Sequence, residues 1–142
     1  MFKFILKCLA FSFLLHSSAY AEQKKDFDDL SVHYIALPTQ FLSPEVAHQY
    51  DIKRSKYSGL INISVLDNTQ QNKAQHATLS GTGRNLMGQV SQLNFTEVRE
   101  GEAIYYLATY PFLNEEIVNF KIKIKTEKKI NILKFQHKFY VN

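Results

Sequence analysis

Four histidines lie beyond residue 21, His33, His48, His76 and His137, and these are the side chains best suited to hold a metal or move protons near neutral pH. No two are spaced to share one face of a helix or strand, so a zinc site would require tertiary folding to bring them together. Asp26, Asp28 and Asp29 supply oxygen ligands, but no glycine turn or distal bidentate acid completes a calcium loop. The single cysteine, Cys8, falls in the N-terminal segment, and the rest of the chain has no thiol for catalysis, disulfides or thiolate ligation. A Gly-x-Ser-x-Gly elbow is absent.

Gly83 and Gly88 have the spacing of a phosphate loop, yet Gln89 and Val90 stand where the lysine and hydroxyl residue are needed. Gly81-x-Gly83 fails as a dinucleotide fingerprint because Leu86 occupies the third glycine position. These glycines read instead as a bend or bulge between strands. Glu97, Glu100 and Glu102 crowd one turn, where solubility alone accounts for carboxylates. The pattern calls for no cofactor, no metal and no catalytic residue, and a hydrolase lacking a recognisable motif is only the third reading.

Basic and aromatic residues do cluster. Ser43-Pro44-Glu45 combines a capping hydroxyl, a proline at the first helical position and a first-turn acid, predicting a short helix from Pro44 to about Tyr50. Lys53, Arg54, Lys56 and Tyr57 follow it at once. Glu45, His48, Lys53, Arg54, Lys56 and Tyr57 are therefore the candidate binding residues, on an insertion from Ser43 to Tyr57 that a minimal β domain does not need. The competing role for this insertion is a lid over the open end of the fold.

A second basic row, Lys121, Lys123 and Lys125 with Lys128 and Lys129, would gain about 1 kcal/mol per lysine at an anionic surface. Three to five such contacts give only about 3–5 kcal/mol, roughly millimolar affinity, so the favoured reading is that these lysines guard a sheet edge.

The elements that must position these residues are strands. Val118, Phe120, Ile122 and Ile124 alternate with Asn119, Lys121, Lys123 and Lys125, the period of two that marks a half-buried strand. Beyond the Glu127-Lys129 turn, Leu133, Phe135, His137, Phe139 and Val141 share the opposing apolar row. Earlier strands are expected from Leu30 to Ala36, from Gly59 through Ile61, Ile63 and Val65, around Ala77 and Leu79, around Leu93 and Phe95, and from Ala103 to Tyr110. Apolar side chains on both faces of the last of these mark a central strand. Glu22 to Asp29 reads as a loose polar leader. About seven strands with short turns and one helical insertion predict an all-β, immunoglobulin-like antiparallel sandwich, with a small closed β-barrel as the alternative.

The N-terminus carries Lys3 and Lys7, an apolar stretch from Cys8 to Leu15 and a small-residue segment ending Ala19-Tyr20-Ala21, the three regions of a secretory signal peptide. The apolar run is too short to span a membrane, so cleavage after Ala21 is expected to leave residues 22–142 as one β-sandwich domain without a transmembrane span. The formal charge of +4 falls to +2 once Lys3 and Lys7 are removed, which is no nucleic-acid-binding balance. With 45% hydrophobic and 13% aromatic residues, the chain has the material for a core held without disulfides.

Phe41-Leu42-Ser43-Pro44-Glu45-Val46-Ala47, Arg54 through Val65, Val98 through Ala108, Asn114-Glu115-Glu116 and Phe135-Gln136 together resemble a family of short exported proteobacterial proteins, domain of unknown function 4426. The resemblance covers most of the chain in order. It implies a Gram-negative periplasmic protein of one β domain, and the family brings no established activity. The combined expectation is a periplasmic, non-catalytic binding or assembly module for a protein or envelope component. The alternative is a small-molecule or lipid binder with its ligand between the sheets among Tyr105, Phe120, Phe135 and Phe139.

Overall fold

The computed structural model describes residues 22–141; the expected signal segment lies outside the described residues. The described residues form ten strands: β1 Gln23–Phe27, β2 Leu30–Pro38, β3 Ser58–Asp67, β4 Lys73–Ala74, β5 Thr78–Asn85, β6 Val90–Leu93, β7 Thr96–Glu100, β8 Ala103–Pro111, β9 Ile117–Lys125 and β10 Ile130–Lys138. One α-helix, α1 Pro44–Gln49, follows a single 3-10 turn, Thr39–Phe41, in the β2–β3 connection. One sheet runs β1-β2-β3-β8-β7 with β4 added to β3, and the other runs β10-β9-β5-β6, every pairing being antiparallel. This is the expected antiparallel sandwich, and neither sheet closes into a barrel.

Alternation fixes which faces meet. Val32, Ile61, Ile63 and Val65 of the first sheet and Val118, Ile122 and Ile124 of the second are all fully buried, which sets the register because a slip of one residue would turn these rows to solvent. Aromatic rings close the core toward the C-terminus. Phe120 and Phe139 are 1% exposed, and Phe139 stacks on Phe112 with ring centres 4.5 Å apart.

Four expectations are corrected. The polar leader is a strand: Gln23 to Phe27 pairs with Tyr34 to Leu30, and the turn after it places Asp28 Oδ2 3.1 Å and Asp29 Oδ1 3.2 Å from Lys129 Nζ. The stretch around Leu93 and Phe95 is two strands, because the chain leaves one sheet after Leu93 and enters the other at Thr96. Gly81 and Gly83 make no bend between strands, since both sit inside β5, paired on both sides. Glycine is needed at 83 for close approach: a Cβ there would lie 2.5 Å from Cε2 of Tyr110. Finally, β9 is not an edge strand. It is hydrogen-bonded to β5 and β10, so Lys121, Lys123 and Lys125 guard no edge and instead cover the outer face of a central strand.

Candidate functional site

The β2–β3 connection folds back on itself because its two ends are clamped. Thr39, fully buried, donates from Oγ1 to the carbonyl of Ser55 at 3.0 Å and accepts the Ser55 N–H at 2.8 Å. Arg54 adds a hydrogen bond from Nη2 to the carbonyl of Gln40 at 3.0 Å. Within the clamp, Ser43 caps α1 as expected, its Oγ accepting the Val46 N–H at 3.2 Å, with Pro44 and Glu45 in the first turn.

The helix stops in a Schellman motif. The Ile52 N–H reaches the Ala47 carbonyl at 2.8 Å and the Asp51 N–H reaches the His48 carbonyl at 3.2 Å, with Asp51 at a left-handed φ of 54°. Glycine adopts that conformation without a Cβ penalty, so Asp51→Gly is expected to raise stability by roughly 0.5–1 kcal/mol. Thermal melting would check it, a lowered midpoint counting against the motif as the stop signal.

Val46 of the helix and the flanking Leu42 and Tyr50 lie against the outward face of the first sheet. Between them lies a groove of about 330 Å³, walled by Leu42, Val46, Tyr50 and Ile52 of the insertion and by Leu60, Asn62, Val98, Tyr105 and Leu107 of the sheet, with Glu100 at its margin. A smaller recess of about 120 Å³ shares Tyr50, Ile52, Leu60, Val98 and Leu107 and continues to Asn94, Thr96 and Thr109. Two of the residues that line the groove carry unusual polar atoms. Tyr50 Oη and Asn62 Oδ1 are buried and have no hydrogen-bond partner among the described residues. Asn62 sits in register between Ile35 and Leu107, whose apolar side chains offer it no donor. An unpaired buried acceptor costs about 1–3 kcal/mol, so the groove combines greasy walls with unmet hydrogen-bonding capacity.

All six candidate residues named from the sequence, Glu45, His48, Lys53, Arg54, Lys56 and Tyr57, are exposed on this insertion and none lines the groove. Lys56 Nζ lies 5.4 Å from the centre of the Tyr57 ring, and Arg54 serves the clamp. Residues of the insertion lie over the outward face of the first sheet. Sequence reasoning named Tyr105 but placed it between the sheets and missed the other groove residues, although the outward Tyr105 and Leu107 of β8 pointed to a covered outer face.

Tyr105, Phe120, Phe135 and Phe139 do not line a common space. Tyr105 faces the groove, whereas Phe120 packs at 5.1 Å from Phe135 and 6.2 Å from Phe139, ring centre to ring centre, inside the core.

The histidines stay apart. His33 Nδ1 lies 2.7 Å from Glu22 Oε1, His48 is on α1, His76 Nε2 lies 3.2 Å from Glu97 Oε1, and His137 is on β10 against Phe139. Burial lowers the His137 imidazole from its ordinary value, favouring the neutral ring. His76 is 62% exposed at its side chain, so its carboxylate contact is a surface pair and not the base of a cleft. Among the described residues, no three His, Cys, Asp or Glu side chains converge to hold a metal ion. No described helix is long and apolar enough to cross a membrane.

The family model of a domain of unknown function, DUF4426, matches residues 24–142. A crystal structure of a DUF4426 family protein from Pseudomonas aeruginosa PAO1 is 33% identical, covering 85% of this chain and 96% of that one, with a TM-score of 0.76. A copper-bound variant of FetP from uropathogenic Escherichia coli strain F11 is 12% identical over 84% of this chain and 95% of its own, with a TM-score of 0.61. FetP as isolated after expression in the E. coli periplasm gives 11% identity, 86% and 98% coverage and a TM-score of 0.60. At such low identity the two FetP structures share the fold alone with this chain. No curated protein matches it.

Proposed function

Because the chain belongs to the DUF4426 family, with the sandwich shared along nearly all of its described length, we propose that it is an exported, periplasmic, non-catalytic binding module whose ligand sits beneath α1. The single observation that carries this reading is the pairing of an apolar groove of about 330 Å³ with the partnerless Tyr50 Oη and Asn62 Oδ1. A small amphipathic molecule fits: an apolar body against Val46, Ile52, Leu60 and Leu107, and an N–H or O–H group donating to Asn62. Export rests on the signal-like N-terminus, and the likeness to periplasmically expressed FetP is in keeping with it. A second reading, a protein partner on the exposed Lys53, Arg54, Lys56 and Tyr57, rests on the exposure of these residues on the clamped insertion.

Asn62→Leu separates a ligand role from a packing role. Replacing an unpaired polar atom with an apolar one is expected to raise stability by about 1 kcal/mol while removing the ligand's anchor. Native mass spectrometry of protein purified from the periplasm should detect a retained small molecule on the wild type and none on Asn62→Leu. Equal retention by both proteins, or none by the wild type, would overturn the groove as the site.

A further inference from the structure

The outer face of the β10-β9-β5-β6 sheet, on the side of the sandwich away from α1, bears Arg84, Lys121, Lys123, Lys125, Lys134 and Lys138, all exposed. Of the chain's 13 acidic residues, none lies on any of these four strands. The six cations make no ion pair among the described residues, in contrast to Lys128 and Lys129, which are held by Asp28 and Asp29. The face is therefore purely cationic, not a mixed solubility surface.

The arrangement also works against itself electrostatically. Lys121 and Lys134 are directly opposite in the β9–β10 register, a like-charge pair that destabilises a sheet unless an anion lies across it. A shallow groove of about 500 Å³ opens at this point, with Arg84, Lys121 and Lys134 as its charged lining and Thr82, Asn119 and Gln136 as neutral donors.

An apolar tip adjoins the cations. Arg84 is in register with Val90, which is 54% exposed, and the turn between them holds out Leu86 and Met87 at 70% and 84% exposure. This turn is braced and not loose. The buried Asn85 accepts the N–H of Met87 at 3.0 Å and of Gln89 at 2.9 Å on its Oδ1, and donates from Nδ2 to Gln89 Oε1 at 2.9 Å. Glu115 and Glu116 belong to the neighbouring β8–β9 turn, where Glu116 is engaged by the Tyr110 hydroxyl at 3.3 Å.

We infer that this face docks on an anionic lipid surface, with the lysines and Arg84 over headgroup phosphates and Leu86 and Met87 in the interfacial layer. A soluble polyanion would satisfy the cations but leave the braced apolar tip without a role, which is why a membrane is the favoured occupant. The groove beneath α1 lies on the other sheet and takes no part in this docking.

The test uses the chain from Glu22 onward, which contains every strand of both sheets, and vesicles of phosphatidylcholine with or without phosphatidylglycerol. Sedimentation with vesicles should require phosphatidylglycerol and weaken as salt rises past about 0.1 M, where the screening length is about 10 Å. Arg84→Gln/Lys121→Gln/Lys134→Gln should weaken binding on the order of 100-fold, about fivefold per charge, without lowering the melting temperature. Leu86→Ser/Met87→Ser should also weaken binding while keeping its salt dependence. Lys24→Gln/Lys25→Gln/Lys73→Gln, which removes equal charge from the other sheet, should leave it unchanged. Equal loss in both charge triples would overturn the assignment to this face. Binding of inorganic polyphosphate without vesicle binding would replace the membrane with a soluble polyanion, and indifference to phosphatidylglycerol would overturn the proposal outright.

Discussion

Phe139→Ala should cost about 3–5 kcal/mol of stability and lower the melting temperature on the order of 10–20 °C. Phe139 lies just beyond the end of β10, where terminal residues often fray, yet its ring is 1% exposed. It stacks on Phe112 at 4.5 Å, approaches Tyr110 at 6.1 Å and Phe120 at 6.2 Å, and receives the His137 ring edge-on at 4.6 Å. Gly59 exists to admit it: a Cβ at that position would fall 2.5 Å from the Phe139 ring. Its backbone N–H, bonded to the Glu116 carbonyl at 2.9 Å, fixes the approach. Removing the ring leaves a void bounded by rigid aromatic plates and a glycine, which cannot collapse to fill it, placing the loss at the upper end for a core truncation. Urea titration would measure it. A loss below about 1 kcal/mol would mean that the cluster is not a cooperative unit, and a Phe112→Ala/Phe139→Ala double variant would then be additive.

How much of this arrangement is legible in the sequence depends on whether its cause is local. The alternation in Val118 to Ile124 names both the strand and its buried face, since a period of two has only one structural reading there. Ser43-Pro44-Glu45 names the helix start for the same reason, each residue answering to a backbone requirement of the first turn. Strand order is not local. The apolar-lysine alternation of β9 is the same whether the strand is at an edge or between two others. Its central place comes from β5, a glycine-containing strand whose weak pattern gives little sign that it would pair along eight positions with β9. The leader likewise has a polar composition that argues for solvent, and only its partner β2 turns it into a strand.

Around the proposed groove, the insertion is legible in the sequence and the lining is not. The insertion breaks the rhythm of strands, and its most conspicuous residues are the charged ones, which face solvent. The residues that build the groove look in sequence like ordinary core. Tyr105 and Leu107 read as evidence for a doubly buried strand, and in a sense they are: the second covering layer is α1, not another sheet. Asn62 carries no sequence signal at all. It occupies an outward position on β3, where asparagine is unremarkable, and becomes informative only once the helix above it removes water.

Tyr106→Phe should cost about 1–3 kcal/mol near neutral pH, and this cost should shrink under alkali. The Tyr106 hydroxyl accepts the N–H of Ala77 at 2.8 Å and donates to Glu97 Oε1 at 3.2 Å, tying β8 to the segment entering β5. Phenylalanine preserves the ring but strands the Ala77 N–H, on a residue 4% exposed, without an acceptor. Burial, opposed by the Ala77 hydrogen bond and reinforced by the Glu97 charge, raises the Tyr106 hydroxyl above its ordinary value of 10.0. The folded protein thus favours the neutral phenol, so its contribution is fully present below pH 10 and is lost as pH rises through the raised folded-state value. Tyr110, also raised by burial first and then by Glu116, adds a slope of the same sign that both proteins share. Denaturant midpoints compared from pH 8 to about pH 11 should therefore show wild type and Tyr106→Phe converging above pH 10, because only the wild type gains an ionised Tyr106 on unfolding. A gap that stays constant across that range would show that the hydroxyl's burial is not coupled to folding, and would leave the lost Ala77 hydrogen bond as the whole effect.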